Sequence, residues 1–232
     1  MKKTLFIFSF LLLGLVASAD HLKGGFFTYR YLGPGSTPGT LRYNITLTVY
    51  MNCNSEFNPG QLSNPIPFTI FDAGTQTQIR RVLVSISNQY RLSKARDEQC
   101  ITNDQRGCYY YIVVYDLADI ELPANTGGYI ISYQRCCRII DIKNIAGNSN
   151  TYGNTYSIKI PGSAVGPTAP ENSSAAFQVN DTVVICRNSS FQYSFLATDP
   201  NGDSLSYSFC EAWAGGGQGS GTGPGSSAPD PA

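Results

Sequence analysis

The stretch LRYNITLTVYMNC, residues 41–53, constrains this chain more than any other. Leu41, Tyr43, Ile45, Leu47, Val49, Met51 and Cys53 fall on one side; Arg42, Asn44, Thr46, Thr48 and Asn52 fall on the other, with Tyr50 the one large exception. A helix, with its period of about 3.6 residues, would scatter such a pattern, whereas a strand sorts it onto two faces. Alternation over this length describes an antiparallel strand with one face on a core and one in water. The same grammar recurs downstream. NPIPFTIFDAGTQTQIRRVLVSI reads as a strand, a turn at Asp72-Ala73-Gly74 and a second strand. CYYYIVVYDLADIEL and GGYIISYQRCCRII read as two more; in the latter Tyr129, Ile131, Tyr133 and Cys137 share a face and Cys136 takes the other. No stretch carries an apolar repeat at helical spacing over three turns. Short strands separated by Gly and Pro turn signals predict an all-β fold, an immunoglobulin-like β-sandwich over residues 20–165.

The chain begins like an exported one. Lys2 and Lys3 precede an apolar run from Leu5 to Val16, and Ala17-Ser18-Ala19 closes it with small residues. That is a secretory signal over residues 1–19, with cleavage before Asp20. The run is short of the ~20 residues a spanning helix needs, and no later segment is long enough either. Sixteen basic and sixteen acidic side chains cancel, so there is no electrostatic reason to expect nucleic acid or an anionic membrane as partner.

In an exported chain the seven cysteines read as a disulfide framework. Phase pairs Cys53 with Cys137, both on core faces. Cys100 and Cys108 bracket the polar loop ITNDQRG, and Cys186 and Cys210 flank the first strands of a second unit. Cys136 is then left unpaired. Spacing alone does not fix connectivity, and the odd count allows a free thiol, a bond between chains or a partner further on. A thiolate zinc site wants paired Cys-x-x-Cys spacing, which is absent.

IKIPGSAVGPTAPENSSAAF breaks the strand pattern and places a boundary near Pro161–Pro170. Beyond it Phe191, Tyr193 and Phe195 alternate, as do Leu205, Tyr207 and Phe209, so residues 166–214 read as a partial second β-module. Residues 215–232, GGGQGSGTGPGSSAPDPA, form a Gly/Ser/Pro-rich flexible tail, which suggests the front of a longer protein.

Motifs for chemistry are scarce. The single histidine, His21, stands at the new N-terminus, and no HExxH, GxSxG or P-loop occurs. Asp116 with Asp119, or Asp97 with Glu98, are the carboxylate pairs that a glycoside hydrolase would need. LATDPNGDSLSYSFC, residues 196–210, is more pointed. Asp199, Asn201 and Asp203 offer side-chain oxygens at alternate positions around Gly202, a candidate calcium site. An EF-hand it is not, since Gly is fourth, Ser204 sixth and Cys210 twelfth. The simpler reading is a hairpin turn at Pro200-Asn201-Gly202.

HLKGGFFTYRYLG, YNITLTVYMNC, YYIVVYDLADIELP, YIISYQRCCRIIDIKNI and FQYSFLATDPNGDSLSYSFC, in this order, resemble the N-terminal region of Bacteroidota gliding-motility-associated surface proteins with PKD-like or cadherin-like repeats. The resemblance covers nearly all of the mature chain and is most specific at YQRCCR and ATDPNGDSLSYSFC. It implies a cadherin-like or PKD-like second module, type IX export, display on the outer membrane exterior, and calcium at a module junction as the one cofactor. Asp181-Thr182-Val183 and Asp203-Ser204-Leu205 resemble the O-glycosylation pattern of that bacterial group, at Thr182 and Ser204. The expectation is a secreted, non-catalytic structural or adhesion module, with other surface proteins or extracellular glycans as partners. The alternatives are a carbohydrate-binding β-sandwich, whose exposed Tyr would stack on sugars, and a carboxylate-dependent glycoside hydrolase.

Overall fold

The computed structural model describes residues 22–52, 63–92, 110–136, 138–139, 142–145, 147–178, 188–210, 212–213 and 215. Eight strands build the sandwich: β1 (Leu22–Pro34), β2 (Thr40–Asn52), β3 (Ile66–Asp72), β4 (Gln78–Val84), β5 (Ile86–Leu92), β6 (Tyr110–Pro123), β7 (Gly128–Cys136) and β8 (Gly153–Pro161). They form two four-stranded sheets, ordered β1-β2-β6-β5 and β4-β3-β7-β8. Every neighbouring pair is antiparallel. The expected all-β sandwich is therefore present.

The alternation of β2 does what its period dictates. Tyr43, Ile45, Leu47, Val49 and Met51 are 0–3% exposed and face the core. Ile66, Phe68 and Ile70 of β3 and Tyr129, Ile131 and Tyr133 of β7 meet them from the other sheet. Phe27 packs edge-on against Phe68, ring centroids 5.0 Å apart. Burying each such side chain stabilises the fold by about 1.5–3 kcal/mol.

β6 keeps two phases. Tyr111, Val113 and Tyr115 face inward, and so do Ile120 and Leu122, which have the opposite parity. A bulge reconciles them: the register jumps from Ile45↔Leu117 to Tyr43↔Ile120, and Asp119 takes φ +53°.

Two of the chain crossings between the sheets are short. Ser85 alone separates β4 from β5, which lie on different sheets. Residues 124–127 carry β6 over to β7. Gly128 is obligatory there: its φ is +82°, and a Cβ would collide with the Ile160 carbonyl. On the opposite side Gly25 lets the ring of Tyr156 lie against β1, since a Cβ would sit 3.1 Å from that ring and 2.6 Å from the Thr48 carbonyl.

Residues 166–174, expected to open the second module, bind to the first. A 3-10 turn at Ala169–Glu171 presents the Pro170 carbonyl to the buried Tyr43 hydroxyl, which donates at 2.7 Å. The Tyr31 N–H donates to Ser173 Oγ at 3.2 Å and the Tyr29 N–H to Ser174 Oγ at 2.9 Å. Ser174 N–H returns a bond to the Tyr29 carbonyl, 2.9 Å. A composition that reads as linker thus supplies serine hydroxyls and a proline carbonyl to the edge of β1.

Beyond it the expected strands around Phe191–Phe195 and Leu205–Phe209 are not formed. Among the described residues there, only Ala197–Thr198 (β10) pairs, with Ala176–Phe177 (β9). Phe195 is 57% and Phe209 100% exposed. Two cysteine assignments change with this. Cys210 is an exposed free thiol, not half of a bond to Cys186, because the segment before it is in no strand pair that would fix its phase. Cys136, expected to be unpaired, is disulfide-bonded. Cys53, Cys100, Cys108, Cys137 and Cys186 lie outside the described residues, as do the signal segment, His21, Asp97, Glu98 and Thr182.

Candidate functional site

The turn at 199–203 is built by its own side chains. Asp199 Oδ1 accepts the backbone N–H of Asn201 at 2.8 Å and of Asp203 at 3.2 Å. The Asp199 carbonyl accepts the Gly202 N–H at 3.2 Å, and Gly202 takes φ +83°, which the turn needs and glycine supplies freely. The turn then reaches back to the sandwich. Asn201 Oδ1 accepts the Ser173 N–H at 2.8 Å, and Asp203 Oδ2 accepts from Asn172 Nδ2 at 3.0 Å. Ser173, itself 6% exposed, passes the connection to β1 through its hydroxyl. Burial first, then the Asp199 and Asp203 carboxylates, push the Tyr29 phenol up to about 12.

The three residues singled out for calcium are therefore brought together, at the seat of the exit segment. Each has an oxygen that already accepts an N–H, which accounts for the arrangement as a hydrogen-bonded turn. Among the described residues no group of three or more His, Cys, Asp or Glu side chains is placed to hold a metal ion. Ser204, the O-glycosylation candidate, is exposed beside the turn.

The carboxylates considered for hydrolysis are engaged on the outer face of the β1-β2-β6-β5 sheet. Asp116 accepts Thr46 Oγ1 at 2.7 Å and Asn44 Nδ2 at 3.5 Å. Asp119, on the bulge, pairs with Arg42 at 3.3 Å, both side chains substantially exposed. Two further carboxylates hold loops. Asp72 Oδ1 accepts the N–H groups of Gly74 and Thr75, and its Oδ2 accepts Asn125 Nδ2; these bonds, Asn125 foremost, hold its carboxyl below the usual range. Glu121 accepts the Thr40 hydroxyl, the Thr37 N–H and the Ser36 hydroxyl, which lower it to about 2.

The sequence offers outward-facing tyrosines, Tyr110 among them, as contact surface, but not the cluster that the fold gathers at one end of that same outer face. Register places Gly24, Tyr50, Ile112 and Tyr90 in one row across the four strands. Phe26, Thr48, Val114 and Asn88 form the next row. Phe26 and Tyr50 lie 6.3 Å apart between ring centroids, Tyr50 and Tyr110 5.9 Å. A bulge at Lys23 sets its ammonium 5.9 Å from the Tyr110 ring centre. The signal was Tyr50, the one large residue on the polar face of β2.

No family model matches the chain, and no solved structure matches it. Among curated proteins it is similar to integrin beta-like protein A of Dictyostelium discoideum, 24% identical over 214 residues. The aligned region covers 90% of this chain and 10% of that protein, so the chain spans about a tenth of that relative's length.

Proposed function

We propose that this chain is a non-catalytic extracellular module of a cell-surface adhesion protein, the front unit of a longer gliding-motility-associated repeat protein. One observation carries the reading. The exit segment is not a loose tether: the turn at 199–203 bonds to Asn172 and Ser173, and Ser173 and Ser174 bond to β1. A module that fixes the direction of the chain leaving it suits a series of units that must hold a shape. The secretory signal and the disulfide at Cys136 agree with an oxidising exterior. The similarity to a protein named as integrin beta-like, matched over only a tenth of its length, supports an adhesive context. The exposed rings from Phe191 to Phe209 suit a unit that is covered by its neighbour in the array.

Antibody raised against the sandwich tests the placement. It should label intact cells, and surface protease should remove the label; cells lacking the gene should attach to solid surfaces less well. Label that appears only after permeabilisation, or attachment equal to that of the parent strain, would refute the reading.

A further inference from the structure

We propose that the outer face of the β4-β3-β7-β8 sheet is the seat of an extended glycine strand, and that this chain supplies it from Gly215 to Gly225. The inference goes beyond the adhesion reading and does not depend on it.

That face is closed where one side of an antiparallel sheet is commonly open to water. Ile70 of β3 and Ile131 and Tyr133 of β7 point into the core, so parity turns Thr69, Ser132 and Gln134 away from it. Thr69 stands opposite Ser132, and Ser132 opposite Ser157. Yet Thr69 and Ser132 are 0% exposed and Gln134 2%. Thr69 Oγ1, Ser132 Oγ and Gln134 Oε1 have no hydrogen-bond partner among the described residues. Buried polar groups are nearly always bonded, so three orphans in one patch mark a face that receives donors and acceptors from elsewhere.

The chain itself names the occupant. Gly215 already lies on this face: its N–H donates to Thr155 Oγ1 at 3.0 Å, and Thr155 stands opposite Gln134. Two residues earlier the Trp213 carbonyl accepts from Arg138 at 2.8 Å. A Cβ on Gly215 would collide with Gln134 Nε2 and lie 2.6 Å from Thr155 Oγ1, so the backbone comes as close as only glycine allows. Residues 216–232 lie outside the described residues, but their order carries information. By composition they read as a flexible tail. By spacing they have period two: glycine stands at 215, 217, 219, 221, 223 and 225, with Gln218, Ser220 and Thr222 between. In an extended chain that leaves one side bare of side chains. A chain bare on one side can lie down on a sheet and offer its N–H and C=O groups to short hydroxyls, which both donate and accept.

The distances agree. Ser132 stands two residues along β7 from Gln134, about 7 Å, and Thr69 one strand over, about 5 Å. At about 3.3 Å per residue the segment passes Ser132 near Gly217 and Thr69 near Gly219. The chain leaving the sandwich is then fixed at two places, at the β1 edge through Ser173 and Ser174 and on the face of the other sheet through the glycine strand.

The test is made on the full chain. Hydrogen exchange should find the amides of residues 217–221 slowed at least about tenfold relative to those of 226–232. Thr69→Val with Ser132→Ala gives opposite signs for the two cases. Hydroxyls without partners cost stability, and deleting them raises the melting temperature. Hydroxyls bonded to the segment take their bonds with them, so the melting temperature falls, here by at least about 3 °C, and exchange at 217–221 quickens. Gly217→Ala with Gly219→Ala should do the same, whereas Gly216→Ala with Ser220→Ala, on the outward side, should move the melting temperature by less than about 1 °C. If the hydroxyl variant does not fold, the two glycine-segment pairs, which alter no strand of the sandwich, carry the test. Exchange at free-chain rates, a melting temperature that holds or rises in the hydroxyl variant, or odd and even pairs that behave alike would overturn the proposal. So would protection lost on about hundredfold dilution, which would put the segment of a second copy on this face.

Discussion

Tyr43→Phe isolates the bond on which the exit segment rests. The hydroxyl donates to the Pro170 carbonyl at 2.7 Å, and the side chain is 1% exposed. Phenylalanine keeps the ring, and with it the contacts to Tyr29 at 6.2 Å and Tyr31 at 5.9 Å between centroids. The change removes one buried hydrogen bond, a net ~1 kcal/mol, and leaves a carbonyl without its donor, ~1–3 kcal/mol where water cannot reach it. Pro170 is buried, yet its 3-10 turn lies at the surface and can relax, so the lower part of that range applies and the total is about 1.5 kcal/mol. For a chain of this size that lowers the melting temperature by about 3–6 °C. Calorimetry of the two proteins measures it, and limited proteolysis should show faster cutting between Val165 and Gln178 in the variant. A melting temperature unchanged within about 1 °C, with proteolysis also unchanged, would refute the reasoning that this hydroxyl seats the segment.

Other perturbations draw on the same geometry. Calcium at several millimolar should leave the melting temperature of the wild type unmoved, while Asp199→Ala should speed proteolysis around Asn201; a calcium-dependent rise that Asp203→Ala abolishes would establish a metal role for the turn. Gly128→Ala should cost more than about 2 kcal/mol in urea unfolding, because a Cβ meets the Ile160 carbonyl and φ is positive; a cost below about 1 kcal/mol would contradict the crossing geometry. On the acid side, Glu121 ionises in the fold at about 2 instead of 4.5, so its contribution is present above pH 4.5 and lost as pH falls toward 2; Glu121→Gln should flatten the urea midpoint over that window. On the alkaline side burial raises Tyr29 and Tyr156 from 10.0 to about 12, so the stability they lend is complete below pH 10 and lost between 10 and 12; tyrosinate absorbance that rises fully by about pH 10.5 without unfolding would contradict their burial.

Some of this is legible without any knowledge of the fold. The inward row of β2 and the turn at Asp72-Ala73-Gly74 are written in residue order, because a strand's period and a turn's need for small, polar residues are local properties. The bulge at Asp119 is not, since a non-glycine residue at positive φ leaves no mark in a sequence. β1 goes unassigned because Gly24-Gly25 break its alternation, although Gly25 is there to admit the Tyr156 ring. The alternating rings of 191–209 show the limit from the other direction. Alternation records which side chains would share a face, but a strand forms only where a neighbour pairs with it. The calcium candidates do stand together in one turn, and their role in seating the exit segment depends on Asn172 and Ser173, whose stretch has the composition of a linker. Tyr50 marks the aromatic cluster, yet its neighbours Phe26, Tyr90 and Tyr110 come from three other strands that only the sheet order brings together.

The way the sandwich treats its borders decides how copies can be joined. β1 has its edge occupied by Ser173 and Ser174, β4 turns directly into β5 through Ser85, and β4 presents Arg80 and Arg81. Docked chain and positive charge both deter a foreign strand from pairing there. Along these two of the four sheet edges, copies strung together or crowded on a surface are kept from zipping into one continuous ribbon. An assembly of them is a string of beads, each bead keeping its own hydrogen bonds, and oriented fibres drawn from it should lack the ~4.8 Å meridional reflection of cross-β stacking.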